Sequence, residues 1–138
     1  MALKKGKIVR RKSSTGQIGP YRIVTSINRS GYVIATSLVS GIMEMFMKDN
    51  LAEISICKMI ISHRVFERIQ KGLQTKIIHD STPTWTRLSE KKPQLIQLRS
   101  ELYGDRIMIF EIDKINRISD IAFPRKFLVW LELGNRIL

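Results

Sequence analysis

The sequence predicts an α+β fold, and three observations carry that expectation. Short apolar runs with a period of two recur along the 138 residues, clusters of Gly, Ser, Asn and Pro break them, and helical periodicity is confined to one or two short segments. The architecture expected is one compact domain of antiparallel hairpins with one or two short helices over residues 18–138, preceded by a disordered basic tail over residues 1–17. A single core normally serves ~100–200 residues, and 43% hydrophobic against 26% charged residues leaves enough apolar material to build one.

Residues 1–17 open with lysines and arginines and end in Ser13, Ser14, Thr15 and Gly16, without apolar periodicity; hence the expected disorder. Tyr21, Ile23 and Ile27 then alternate, residues 28–31 carry turn chemistry, and residues 32–35 resume the β pattern, which predicts a hairpin. From Thr36 or Ser37 as cap, Leu38, Ile42, Met45 and Phe46 recur at helical spacing as far as Lys48, so a short amphipathic helix is expected, with Met43, Met45 and Met47 as core filling. Ile54, Ile56 and Ile60 favour a strand that passes into a helix through Ile61, Val65 and Ile69, ending near Gly72. Residues 73–79 are β-prone, and residues 80–93, with Pro83 and Pro93, are expected as a polar loop. Residues 95–102 and 107–112 flank Tyr103 to Arg106, where Gly104 and Asp105 suit the positive dihedrals of a two-residue turn, in the clearest hairpin of the chain, and residues 127–131 form a last apolar strand or short helix. That terminal segment either returns to the core or docks on a second copy.

Charge points to the partner. There are 24 Lys and Arg against 12 Asp and Glu, and the first 43 residues hold Lys4, Lys5, Lys7, Arg10, Arg11, Lys12, Arg22 and Arg29 with no acid at all. Such an uncompensated cluster is the footprint of a polyanion-binding surface: RNA more than DNA, a ribonucleoprotein, or an anionic membrane. Trp85, beside Arg87, Lys91 and Lys92, either stacks on a base or a lipid headgroup or pins its loop to the core. Tyr21 and Tyr32 are further candidates for base stacking.

Catalytic chemistry has little support. His63 and His79 are the two histidines, and neither has the spacing of a metal site with the single Cys57, so neither a metal nor a cofactor is expected. No phosphate-cradling glycine loop or nucleophile elbow is present, which leaves a metal-free nuclease built on a histidine as a third reading. No apolar run approaches the ~20 residues of a membrane span, and the N-terminus lacks an apolar stretch after its charges, so a cytoplasmic or nuclear location, or a virion, is expected.

The order of features resembles the matrix proteins of rhabdoviruses: a lysine-rich start (Lys4, Lys5, Lys7), an α+β core, a basic proline-containing loop over residues 87–93, and a hairpin around residues 102–113, Leu-Tyr-Gly-Asp-Arg-Ile-Met-Ile-Phe-Glu-Ile-Asp. The resemblance implies a small basic viral structural protein that condenses ribonucleoprotein beneath a membrane and self-associates. The chain departs from that pattern in lacking a Pro-Pro-x-Tyr motif. A capsid, movement or silencing-suppressor protein fits the same charge pattern.

Ser13, Ser14 and Thr15 follow Arg10, Arg11 and Lys12, a context that basophilic kinases favour, and each phosphate adds about −1.5 to −2 charges there. Replacing all three with Asp is expected to weaken polyanion binding in a filter-binding titration. Affinity equal to the parent's would rule the switch out.

Overall fold

Alternation of apolar and polar residues in strands lets a sheet bury one face and solvate the other, and this chain uses the device twice. A computed structural model describes residues 3–119 and 127–138. It holds two five-stranded sheets of mostly antiparallel strands and two short helices, in keeping with the α+β class. The chain divides into two compact units, Met1–Ser55 with Ile137, and Ile56–Arg136 with Leu138.

The first unit is a meander. Strands β1 (Ile8–Ser13), β2 (Gly16–Ile27), β3 (Tyr32–Ser37) and β4 (Met43–Met47) follow one another antiparallel, and the three-residue β5 (Leu51–Glu53) closes onto β1, giving the order β4-β3-β2-β1-β5. Val9, Val24, Val33, Ala35 and Leu51 form its buried cluster, with Leu3 and Phe46 packed against it.

Two expectations fail here. Residues 8–17, placed in a disordered tail, form strand β1 and the turn into β2, with Ile8 and Val9 buried. The Ser-Ser-Thr-Gly segment is turn chemistry rather than disorder: Ser13 pairs with Gly16, whose φ of 137° suits a residue without Cβ. The helix expected over residues 36–48 is also absent. The Ser37 hydroxyl accepts from the amides of Val39 and Ser40, which makes a turn where a helix cap was read, and Gly41 at φ 73° takes the chain out of helical space. Met-Glu-Met-Phe-Met then runs as a strand with period two.

One charge is buried in this sheet. Arg22, 7% exposed, lies under Phe46 with its guanidinium 4.8 Å from the ring centroid, and its Nη2 donates to Glu44 Oε2 at 3.1 Å across the intervening strand β3. Glu44 is the one acid that holds this guanidinium, whose Nε and Nη1 have no protein acceptor.

The second unit has the strand order β6-β8-β9-β10-β7. Its elements are β6 (Ile56–Ile61), α1 (His63–Gln70), β7 (Lys76–Asp80), α2 (Pro83–Lys91), β8 (Leu95–Ser100), β9 (Ile107–Ser119) and β10 (Phe127–Arg136). β6 and β8 run parallel, a departure from all-antiparallel hairpins made possible because α1, β7 and α2 supply the long crossover such a pair needs. Phe66 and Ile69 of α1 and Trp85 and Leu88 of α2 join Met59, Ile96, Leu98, Met108, Val129 and Leu131 in one buried cluster. Each fully buried aliphatic side chain there contributes roughly 1.5–3 kcal/mol. Ile60 and Ile61 of β6 and Ile77 and Ile78 of β7 line one groove although they lie on opposite edges of the sheet, so the sheet curls toward closure.

Helix α2 replaces the loop expected over residues 80–93. Thr82 caps it, Pro83 occupies the first turn where no amide is needed, and Lys92 ends it at a left-handed φ of 46° before Pro93. The strand-to-helix passage into α1, strand β7, the β8–β9 hairpin and the terminal strand all appear where the sequence placed them. β10 is paired on both sides, by β9 and β7, so the terminal segment is interior strand rather than a docking edge.

Glu44→Ala is expected to cost about 1–3 kcal/mol in urea unfolding, because it leaves a buried guanidinium without its acceptor. Arg22→Met, which removes the charge and keeps the apolar stem, should cost less. Equal costs for the two would show that packing rather than the ion pair holds the site.

Candidate nucleic-acid interface

The basic residues nearest the N-terminus are presented by a hairpin. β3 pairs β2 only over residues 22–27, and β5 pairs β1 only over residues 9–11, so the distal part of the β1–β2 hairpin has no lateral neighbour. Within residues 11–20 every side chain except the half-buried Ser13 is exposed. The result is a two-stranded basic ribbon projecting from the sheet.

Its base is braced. Arg10 Nε donates to the Gly19 carbonyl at 3.0 Å, and its guanidinium lies 4.6 Å from the Tyr21 ring centroid, which ties the two strands together. Gly6 donates to the Val24 carbonyl and Val24 to the Lys7 carbonyl, so the ladder continues past β1 toward Lys4 and Lys5, both exposed. Lys7 pairs with Glu53 at 3.3 Å. Arg11, Lys12, Lys4 and Lys5 remain as exposed cations on or beside the ribbon, and Arg29 stands exposed in the β2–β3 turn.

The remaining candidates divide. Arg22 is buried on Glu44 and Phe46, and Tyr21 is buried under Arg10, so neither is placed to meet a phosphate or a base. Trp85 is 4% exposed and stacks on His79 at 4.6 Å, so of its two readings the ring that pins its segment to the core holds, on a helix rather than a loop, and the exposed stacking residue does not. Arg87, Lys91 and Lys92 are exposed on or just after α2, in the second unit. Tyr32 keeps an exposed ring. The protruding ribbon was missed because two apolar residues, Ile8 and Val9, are all the burial that strand β1 has.

Charge is concentrated in the smaller unit. Residues 1–55 hold nine Lys and Arg against three acids, and two of those acids, Glu44 and Glu53, are engaged by Arg22 and Lys7. Residues 56–138 hold fifteen against nine.

One constellation has the composition of a catalytic triad. His63 Nδ1 lies 2.9 Å from Ser100 Oγ, and its Nε2 lies 3.0 Å from Glu67 Oε1. Ser100 is 1% exposed, and its oxygen already accepts from the amides of Leu102 and Tyr103. The hydroxyl therefore donates to Nδ1, Nε2–H faces Glu67, and the serine is sealed from any substrate. The group is a clasp that joins α1, the end of β8 and the turn after it. Burial pushes the Cys57 thiol up, partly offset by Lys91 and a backbone hydrogen bond, which suits a partly buried packing residue. A groove of about 320 Å³ has a mixed lining, with Ile60, Val65, Ile77 and Ile78 beside Gln74 and Glu101. Among the described residues no group of three or more His, Cys, Asp or Glu could hold a metal, and no helix is long and apolar enough to cross a membrane.

No family model, curated protein or solved structure matches the chain.

Ser100→Ala is expected to destabilise the protein by about 1–3 kcal/mol, since two turn amides and the imidazole lose one shared partner. A urea midpoint identical to the parent's would show that the clasp holds nothing.

Proposed function

We propose that the protein is a non-enzymatic binder of RNA or ribonucleoprotein that uses the basic β1–β2 ribbon as its principal contact and works as a self-associated assembly. The observation that carries this reading is the exposed ribbon bearing Arg11 and Lys12, flanked by Lys4 and Lys5, in a unit whose acids are mostly engaged internally. A ribbon held at its base by Arg10 and Tyr21 offers cations to phosphates without first having to be ordered, so less entropy is lost on binding than a disordered tail would lose. Recognition of this kind reads backbone and shape more than base edges, since the buried Trp85 and Tyr21 do not offer stacking platforms.

A viral structural role of the matrix type, with an anionic membrane as a second surface, agrees with the charge and with the resemblance of residues 102–113. A stand-alone RNA-binding protein such as a capsid, movement or silencing-suppressor protein is the alternative. Cytoplasm, nucleus or virion is the setting in which such a partner is met.

Arg11→Glu with Lys12→Glu is expected to lower affinity for single-stranded RNA at least tenfold at 0.1 M salt. If each residue neutralises one phosphate, the slope of log affinity against log salt should fall by about 1.4. An unchanged slope would mean that the ribbon does not meet the RNA; a retained melting temperature confirms that the variant is folded.

A further inference from the structure

Sheet edges carry unpaired backbone groups, and proteins usually blunt them with short strands, lysines, prolines or bulges. Of the four edge strands in the two sheets, three are blunted. β5 has three residues and ends on Glu53, which is bound to Lys7. β6 places the exposed Lys58 at its centre. β7 begins with Lys76, whose carbonyl is covered by the Gln74 side chain at 2.7 Å, and ends on Asp80. Among the described residues β4 is the terminal strand least protected in this way: its one charge, Glu44, is held by Arg22, and Met-Glu-Met-Phe-Met pairs with β3 in unbroken register with no lysine, proline or bulge.

Two hydrogen bonds show which groups β4 leaves open. Ser37 donates to the Ile42 carbonyl, and Lys48 donates to the Gly31 carbonyl, so the even-numbered residues bond inward to β3. In an antiparallel ladder the pattern alternates, and Met43, Met45 and Met47 therefore aim their amides and carbonyls away from the sheet. Their side chains are 68%, 63% and 52% exposed. Tyr32, cross-strand from Met47, is exposed as well, as are Val39 and Ile42 in the turn that leads into β4.

We infer that β4 is the self-association edge, and that its occupant is β4 of a second copy, paired antiparallel about Met45. This deepens the proposed function, since it rests on self-association as part of that reading. Register is the first support. A two-fold at Met45 sets Met43 opposite Met47 of the second copy and Met45 opposite its equivalent, so every outward amide and carbonyl of the three methionines is satisfied at once. Charge is the second. Glu44 comes opposite a Phe46 and Lys48 opposite an Ile42, so no like charges face each other, and Glu44 is already neutralised by Arg22. A lipid surface would cover the methionines but leave the outward backbone groups without partners, which costs free energy that a strand recovers.

The test measures mass and cross-linking on the full chain. Light scattering should report a dimer or a multiple of one for the parent, and a monomer with an unchanged melting temperature for Met45→Lys. Under mild oxidation Met45→Cys should form a disulfide-linked dimer, because equivalent Cα atoms across the two-fold lie ~5.5 Å apart. Met47→Cys should not exceed the background of the parent with Cys57 alone, since its equivalent lies about four residues away along the strand. A monomeric parent, or cross-linking equal at the two positions, overturns the inference. So does a monomer whose binding to phosphatidylserine vesicles is lost in Met45→Lys, which would make the stripe a lipid contact. RNA affinity is read separately: a dimer without RNA binding defeats the proposed function alone, and an RNA-binding monomer defeats this edge alone.

Discussion

A chain with twice as many cations as anions can form sheets only if alternation keeps charge off the buried faces, and nearly every feature here follows from that requirement. β1 makes the case in six residues. Val9 joins the first unit's buried cluster, Ile8 beside it is buried as well, and Arg10, Arg11 and Lys12 then carry the strand outward until it no longer has a lateral partner. The ribbon is thus what remains of a strand after its apolar residues run out. Arg22 is the exception. Its position on the buried face is tolerated because an acid two strands away and an aromatic ring both reach it.

The sequence was most legible where a single signal dominated. Ile61, Val65 and Ile69 marked α1 and Phe127 to Leu131 marked the last strand by apolar periodicity; the β8–β9 hairpin forms as well, but through residues 101–106 with no positive φ at Gly104 or Asp105, where a two-residue turn was expected. The segments misread share a cause. Ser, Thr, Gly and Pro punctuate a chain without saying which element they bound: Ser37 is as suited to a turn as to a helix cap, and Thr82 with Pro83 opens a helix in a stretch that composition alone marks as loop. Only the neighbours decide, and for Ser37 those neighbours include Arg22 on β2.

The candidate interface was legible as charge and illegible as shape. The run from Lys4 to Lys12 marked a basic region, but one-dimensional composition does not distinguish a tail from a ribbon when only two apolar residues hold it. Trp85 was open to two readings, exposed stacking or a pin to the core, and the second holds. A tryptophan among basic and polar residues suggested exposure, whereas the helix that carries it turns Arg87 and Lys91 outward and the ring inward onto His79.

The parallel pairing of β6 with β8 has a consequence for how the polypeptide acquires its structure during synthesis. The first sheet joins neighbours in sequence, and its longest-range pairing, Val9 with Glu53, closes within the first 55 residues. The second waits for β8 before β6 has any partner and for β10 before β7 has one. Loop-closure entropy makes such non-local ladders slow, and ribosomes deliver only ~5–20 residues per second. Every strand of the first sheet can therefore find its partner while the rest of the chain is still being made, and only Ile137 of that unit arrives with the last residues.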